Sequence, residues 1–222
     1  MLSSLKPSVA FGSPSLVPMT SFPVTPKPLT SVHIETAIVF SWNNFLCPNA
    51  WIHQNRVRAP VHASVAQAFA EIDAAIVELL LLAQEYGTVF VLCEDSAAYI
   101  EDLCATFFPR CAALFAAPEL HANIQLLCAA QEATAQWYSH MLHSIVTTSP
   151  RLRGSSVVLS CFGPDALRAA CMENTKHLSI LPKVVRSNVV LPTPAQVFEQ
   201  LSLLRMHLVA TVTQNCAMDV VL

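Results

Sequence analysis

Three short apolar runs, at residues 37–40, 89–92 and 157–160, do most to limit what this chain can fold into. Each is rich in Val, Ile, Leu or Phe and shows no polar alternation. A run of that length and texture suits a strand covered on both faces. Stretches with helical spacing separate the runs. Strands alternating with helices imply βαβ units, a mainly parallel sheet and helices on both sides of it. The expected fold is therefore α/β, Rossmann-like and three-layered, with the three runs as adjacent central strands whose carboxyl ends face one cleft.

The connecting stretches can be read residue by residue. Val65, Phe69, Ile72, Ile76, Leu79, Leu80 and Ala83 recur at helical spacing, with Ser64 placed to cap the start and Gly87 the end. Asp95 or Ser96 is placed to cap a helix reaching about Phe107. Residues 112–115 read as a third strand, and Pro118 as the start of a long helix running to about Val146. Residues 164–173 read as a helix and 177–184 as a strand. Thr193 and Pro194 suit the cap and first position of a last helix, and residues 218–222 a closing edge strand.

Composition narrows the classes of function. Of 222 residues, 54% are apolar and 12% charged, and the net charge is −3. Lysine occurs only at Lys6, Lys27, Lys176 and Lys183, so no basic stripe tracks a phosphate backbone, and no nucleic-acid partner is expected. The apolar excess suits a chain held against a protein partner or in a larger assembly. No apolar run is long enough for a membrane span. The eight cysteines show no C-x-x-C pair and read as buried free thiols, pointing to an intracellular, reducing compartment, cytoplasmic by preference. Residues 1–32 are rich in Pro, Ser and Thr and contain no acid. They read as a disordered leader, with organelle targeting left open. Residues 33–222 form the folded domain.

The segment Ala37-Ile-Val-Phe-Ser41-Trp-Asn43-Asn-Phe-Leu46 resembles the first motif of the haloacid dehalogenase (HAD) superfamily, an apolar strand followed by Asp-x-Asp-x-Thr-Leu. Ser41 stands at the nucleophile's place and Asn43 at that of the acid/base Asp. Val89-Phe-Val-Leu-Cys93 resembles the second motif, with Cys93 at the hydroxyl position. Tyr138 is the candidate for the third-motif Lys. Val157 to Asp165, with Gly163-Pro164-Asp165, resembles the fourth. Leu46, Cys47 and Trp51 match a segment that follows the first motif in one HAD-like group. The resemblance covers about residues 35–222.

The resemblance implies a HAD-type fold and, in intact members, an aspartyl-phosphate route assisted by Mg²⁺. A serine at position 41 needs a base, and Asn43 cannot serve as one. Position 138 lacks the cation that neutralises phosphate charge. Of the family's metal ligands only Asp165 could remain. The expectation is a degenerate member with no catalytic residues, no metal and no cofactor, its former site marked by Ser41, Asn43, Cys93, Tyr138, Gly163 and Asp165. Such a protein would serve as a structural or regulatory subunit. The alternatives are a small-molecule sensor that keeps the cleft, or an unconventional hydrolase using Ser41 or Cys47.

Other residues are weaker pointers. Cys47 with His53 or His62 could make a thiolate nucleophile, but a packed thiol is the simpler reading. His140 and His143 lie one helical turn apart without a third metal ligand in view. Glu94-Asp95 and Glu101-Asp102 read as capping and solvated acids. Trp42 lies between the two altered Asp positions, either at the cleft mouth or in the core.

Overall fold

The computed structural model describes residues 34–130, 133–134, 136–153 and 155–222. The expected leader, residues 1–32, lies outside them. Six strands form one sheet: β1 (Ile34–Ser41), β2 (Thr88–Cys93), β3 (Ile124–Cys128), β4 (Ser156–Gly163), β5 (Ile180–Arg186) and β6 (Met218–Val221). The spatial order is β3-β2-β1-β4-β5-β6, and every neighbouring pair is parallel. The helices are α1 (Asn49–Gln54), α2 (Ala63–Gln84), α3 (Ala97–Phe107), α4 (Pro109–Ala116), α5 (Trp137–Thr148), α6 (Asp165–Asn174) and α7 (Pro194–Thr213).

The three apolar runs are central and adjacent, as β2-β1-β4. Their lack of alternation has a direct cause, because both faces are covered. Ile38, Phe40, Val89, Val91 and Phe162 pack against α2, α3, α4 and α7. Ala37, Val39, Phe90, Leu92 and Leu159 pack against α5 and α6. Phe40 and Phe162 stack across neighbouring strands with ring centroids 4.8 Å apart. Burying one such ring contributes roughly 1.5–3 kcal/mol. Three layers and an all-parallel sheet make this a Rossmann-like α/β fold. No helix among the described residues is long and apolar enough to cross a membrane.

Some expected elements fall elsewhere. Residues 112–115 belong to helix α4, not to a strand. Pro109 sits at its start, and Cys111 and Leu114, three positions apart, are its buried pair, which is helical rather than alternating burial. The third strand is instead β3, inside the stretch expected to be one helix from Pro118 to Val146. Among the described residues of that stretch, only those from Trp137 on, in α5 (Trp137–Thr148), are α-helical. Ile124-Gln-Leu-Leu-Cys128 pairs with the free edge of β2. That pairing overrides the helix preference of Leu and Gln, a short-range tendency worth only tenths of a kcal/mol per residue. Strand β5 runs to Arg186, two residues beyond the expected end.

Two caps also differ. His62, not Ser64, is the N-cap of α2, its ring accepting from the Ser64 backbone N–H. Gly87 does not cap that helix, whose C-cap is Glu85. Glycine is needed at 87 because a Cβ there would lie 2.5 Å from the Thr36 carbonyl oxygen, where β1 and β2 converge. Ser96 caps α3, accepting from the Tyr99 N–H. Thr193 and Gln196 form a reciprocal capping box on α7 with Pro194 at its first turn.

Candidate functional site

In an open parallel sheet, ligands bind beyond the strands' carboxyl ends where the order reverses. Here the sequence runs outward from β1 to β2 and β3 on one side, and through β4 to β5 and β6 on the other. The reversal lies between β1 and β4, at Ser41 and Gly163. A crevice of about 330 Å³ opens there, bordered by Asn43, Phe45, Glu94, Pro164, Asp165 and Asn188.

Ser41 ends β1 facing α5 and is fully buried. Its hydroxyl is 2.9 Å from the Tyr138 hydroxyl. Tyr138 in turn donates to the Glu94 carboxylate at 2.5 Å. Because tyrosine has one proton and gives it to Glu94, Ser41 is the donor to Tyr138. The chain runs Ser41 to Tyr138 to Glu94 and stops at a carboxylate. Burial and the adjacent Glu94 push the Tyr138 hydroxyl well above its ordinary range, which keeps it a neutral donor.

Asn43 organises the other half. Its amide oxygen accepts from the Glu94 N–H at 3.0 Å and from the Cys93 thiol at 3.4 Å. Its amide nitrogen donates to Asp95 at 2.7 Å, and Asn49 donates to the same Asp95 oxygen at 3.1 Å. The connecting loop is fixed from several sides. The Cys47 N–H returns to the Trp42 carbonyl at 2.9 Å. Asn44 takes a left-handed φ of 55° and accepts from the Ala50 N–H. Gln200 on α7 donates to the Phe45 carbonyl at 2.8 Å.

Five of the six residues marked in the sequence thus meet: Ser41 with Tyr138, Asn43 with Cys93, and Gly163 against Ser41. A Cβ at 163 would come 2.9 Å from Ser41 Cβ and 2.8 Å from Leu167 Cδ2, so glycine permits the close approach of β4. Asp165 stays on the crevice rim, exposed and 2.9 Å from the Arg186 guanidinium. Arg186 also reaches Asp219, which holds Arg168 at 2.6 Å.

Sequence reasoning missed Glu94 and Asp95 as site residues. Neither caps α3, since Ser96 does so, and both accept side-chain bonds within the site. Their signal was position, directly after the β2 run at the sheet's carboxyl edge. Trp42 is a core residue. It is fully buried, edge-on to Phe108 and Phe115 at 6.3 and 6.0 Å. Cys47 is fully buried, and desolvation raises its thiol well above its ordinary value, the reverse of an activated nucleophile. The candidate bases are engaged elsewhere: His53 stacks on Tyr99 and bonds its hydroxyl at 2.8 Å, and His62 caps α2.

The residues present do not suit Mg²⁺ at the first-motif place. Asn43 points an amide donor at Asp95, and Ser41 is committed to Tyr138. Among the described residues no group of three or more His, Cys, Asp or Glu is arranged to hold a metal ion.

Removing the Tyr138 hydroxyl should leave Ser41 without its buried acceptor. Tyr138→Phe is expected to lower stability by about 1–3 kcal/mol. Combined with Ser41→Ala it should cost clearly less than the two single changes added together, because one bond is counted twice. Urea midpoints of the four proteins measure this, and strict additivity would show that the pair does not interact.

The fold and site define a doubly wound parallel α/β domain with a polar, hydrogen-bonded switch-point crevice. No family model matches the sequence, and no curated protein matches it.

Proposed function

We propose that this chain is a degenerate HAD-like domain that carries out no phosphoryl chemistry and serves as a structural or regulatory subunit through protein contacts. The observation that carries the reading is the closed chain from Ser41 through Tyr138 to Glu94. In the motif that the sequence resembles, these places hold a nucleophilic carboxylate and a lysine, an ion pair open to substrate. Here they hold two hydroxyls bonded to each other, with Ser41 fully buried and, among the described residues, no carboxylate or imidazole bonded directly to its hydroxyl. Asn43 fits the same reading. Its amide matches a donor to Asp95 and an acceptor from the Glu94 N–H, and a carboxylate in its place would face Asp95 as a like charge.

The surface supports a protein partner. Val189, Val190 and Leu191 are exposed on the loop beside the crevice, and Phe198, Leu203 and Met206 on α7. A chain with 12% charged residues has little charge to spread around such groups, against roughly a quarter in average domains. The crevice supports a second reading, a small-molecule sensor, because Glu94, Asp165 and Asn43 border about 330 Å³ of open space at the switch point.

The full chain with Mg²⁺ and a generic aryl phosphate is expected to release phosphate no faster than buffer. Turnover that disappears in Ser41→Ala would overturn the reading. Size measurement of the native protein separates the two readings: a large assembly supports the subunit, and a monomer carrying a bound small molecule supports the sensor.

A further inference from the structure

Five of the cysteines, Cys47, Cys93, Cys104, Cys111 and Cys128, belong to the core on one side of the sheet. Two of them stand apart by geometry. Cys93 is the last residue of β2, Cys128 is the last residue of β3, and the parallel register pairs them directly. Paired residues on parallel strands project to the same face, and here both side chains join the same cluster. Neighbouring strands lie about 4.8 Å apart, which puts the two Cα atoms inside the roughly 4.4–6.8 Å window that a disulfide spans.

We propose that Cys93 and Cys128 form a reversible disulfide, a modification site independent of the non-catalytic reading above. Access is asymmetric in a way that orders the steps. Cys128 is half-buried and borders an open groove of about 810 Å³ along the edge strand, together with Glu101, Cys104 and Leu126. Cys93 is buried behind it. The one thiol proton of Cys93 goes to the Asn43 amide oxygen at 3.4 Å, away from the groove. Cys128 is therefore the attacking thiol and Cys93 the resolving one.

The oxidant class is a small disulfide such as glutathione disulfide. The Cys128 thiolate attacks one of its sulfurs, the S–S bond breaks, and one glutathione leaves as a thiolate. That thiolate takes up a proton as Cys93 loses its own. Cys93 then attacks the Cys128 sulfur and expels the second glutathione. Two protein thiols and one glutathione disulfide become one protein disulfide and two glutathione molecules. Cβ atoms on flat paired strands sit farther apart than the mean of about 3.8 Å in disulfides, so the strands must pinch, which favours a readily reduced bond. Closure also removes the thiol donor to the Asn43 amide oxygen, so the oxidation state is felt in the crevice.

The test treats the folded full chain with glutathione disulfide, quenches with acid, digests without reductant and maps the masses. The expected product is a Cys93–Cys128 linked peptide pair lacking two hydrogens and released by dithiothreitol. In Cys93→Ser, glutathione should accumulate on Cys128, where the wild type carries none. Stable glutathione on wild-type Cys128, a Cys104–Cys128 bridge, or an unmodified Cys128 while the exposed Cys216 reacts would each overturn the proposal. The wild-type map decides by itself if Cys93→Ser does not fold.

Discussion

Raising the pH above 9.0 should unfold this protein within one or two pH units, in the presence of reductant. Five buried thiols are held protonated by the fold. Cys47, Cys104, Cys111 and Cys161 are raised chiefly by desolvation, Cys104 to about 12, and Cys93 by the neighbouring Cys128 and by burial. Each has an ordinary value of 9.0, which the unfolded chain regains. A raised folded value gives stability that is present in full below 9.0 and is lost as pH climbs from there toward the folded value. Each thiol that ionises only on unfolding draws off about 1.4 kcal/mol per pH unit. Five together draw off about 7 kcal/mol per unit, against a total stability of about 5–15 kcal/mol. Tyr138 and Tyr99, both raised by burial first, add to the loss nearer pH 10. Lys183 acts the other way. Its ammonium is buried on the Val212 carbonyl at 2.6 Å, and burial lowers its value. That penalty is relieved as pH rises through the lowered value toward the ordinary 10.5. One lysine does not offset five thiols. Urea midpoints should fall steeply once the pH passes 9.0. A midpoint unchanged at pH 10.5 would mean that the thiols ionise in place and that the interior is wetter than the packing indicates.

How far the sequence could be read follows from the range over which each residue's fate is decided. The runs at 37–40, 89–92 and 157–160 needed no partner to be recognised, since a strand covered on both sides is apolar at every position. Ser41, Asn43 and Tyr138 are marked in the sequence by the motif resemblance, Ser41 and Asn43 at the places of the first-motif acids and Tyr138 at that of the third-motif Lys. Residues 124–128 were lost inside an expected helix, since Leu and Gln suit helices and only the open edge of β2 makes them a strand. Glu94 and Asp95 read from the sequence as capping and solvated acids. A carboxylate's role depends on which donors reach it, and theirs come from Tyr138, Asn43 and Asn49, residues 44 or more positions away in the chain. Trp42 shows the same limit. Position alone suggested a cleft mouth, whereas Phe108 and Phe115 enclose it.

The acid whose role was least legible supports the second large expected effect. Asp73 lies on the buried face of α2, among Phe69, Ile72 and Ile76, where a charge is costly. It is 1% exposed. What it does is fixed by α4, whose N-cap Phe108 has no side chain able to accept a hydrogen bond. The first turn of α4 follows Pro109, and its free N–H groups at Arg110 and Cys111 donate to the two Asp73 oxygens at 2.8 and 2.9 Å. A residue on one helix thus caps another, and the negative carboxylate meets the positive end of the α4 dipole. Asp73→Ala should cost about 3–4 kcal/mol, because two charge-assisted bonds are lost and both N–H groups are left buried without acceptors. Asp73→Asn should recover only part, since one of its two head atoms is a donor facing a donor. The loss should also reach the site's floor. Phe108, the N-cap of α4, and Phe115, in its last turn, enclose Trp42, so loosening α4 exposes the indole, which a red shift of tryptophan fluorescence reports below the unfolding transition. A loss under about 1 kcal/mol in Asp73→Ala, with unshifted fluorescence, would mean that water replaces the carboxylate and that α4 is held by its apolar contacts alone.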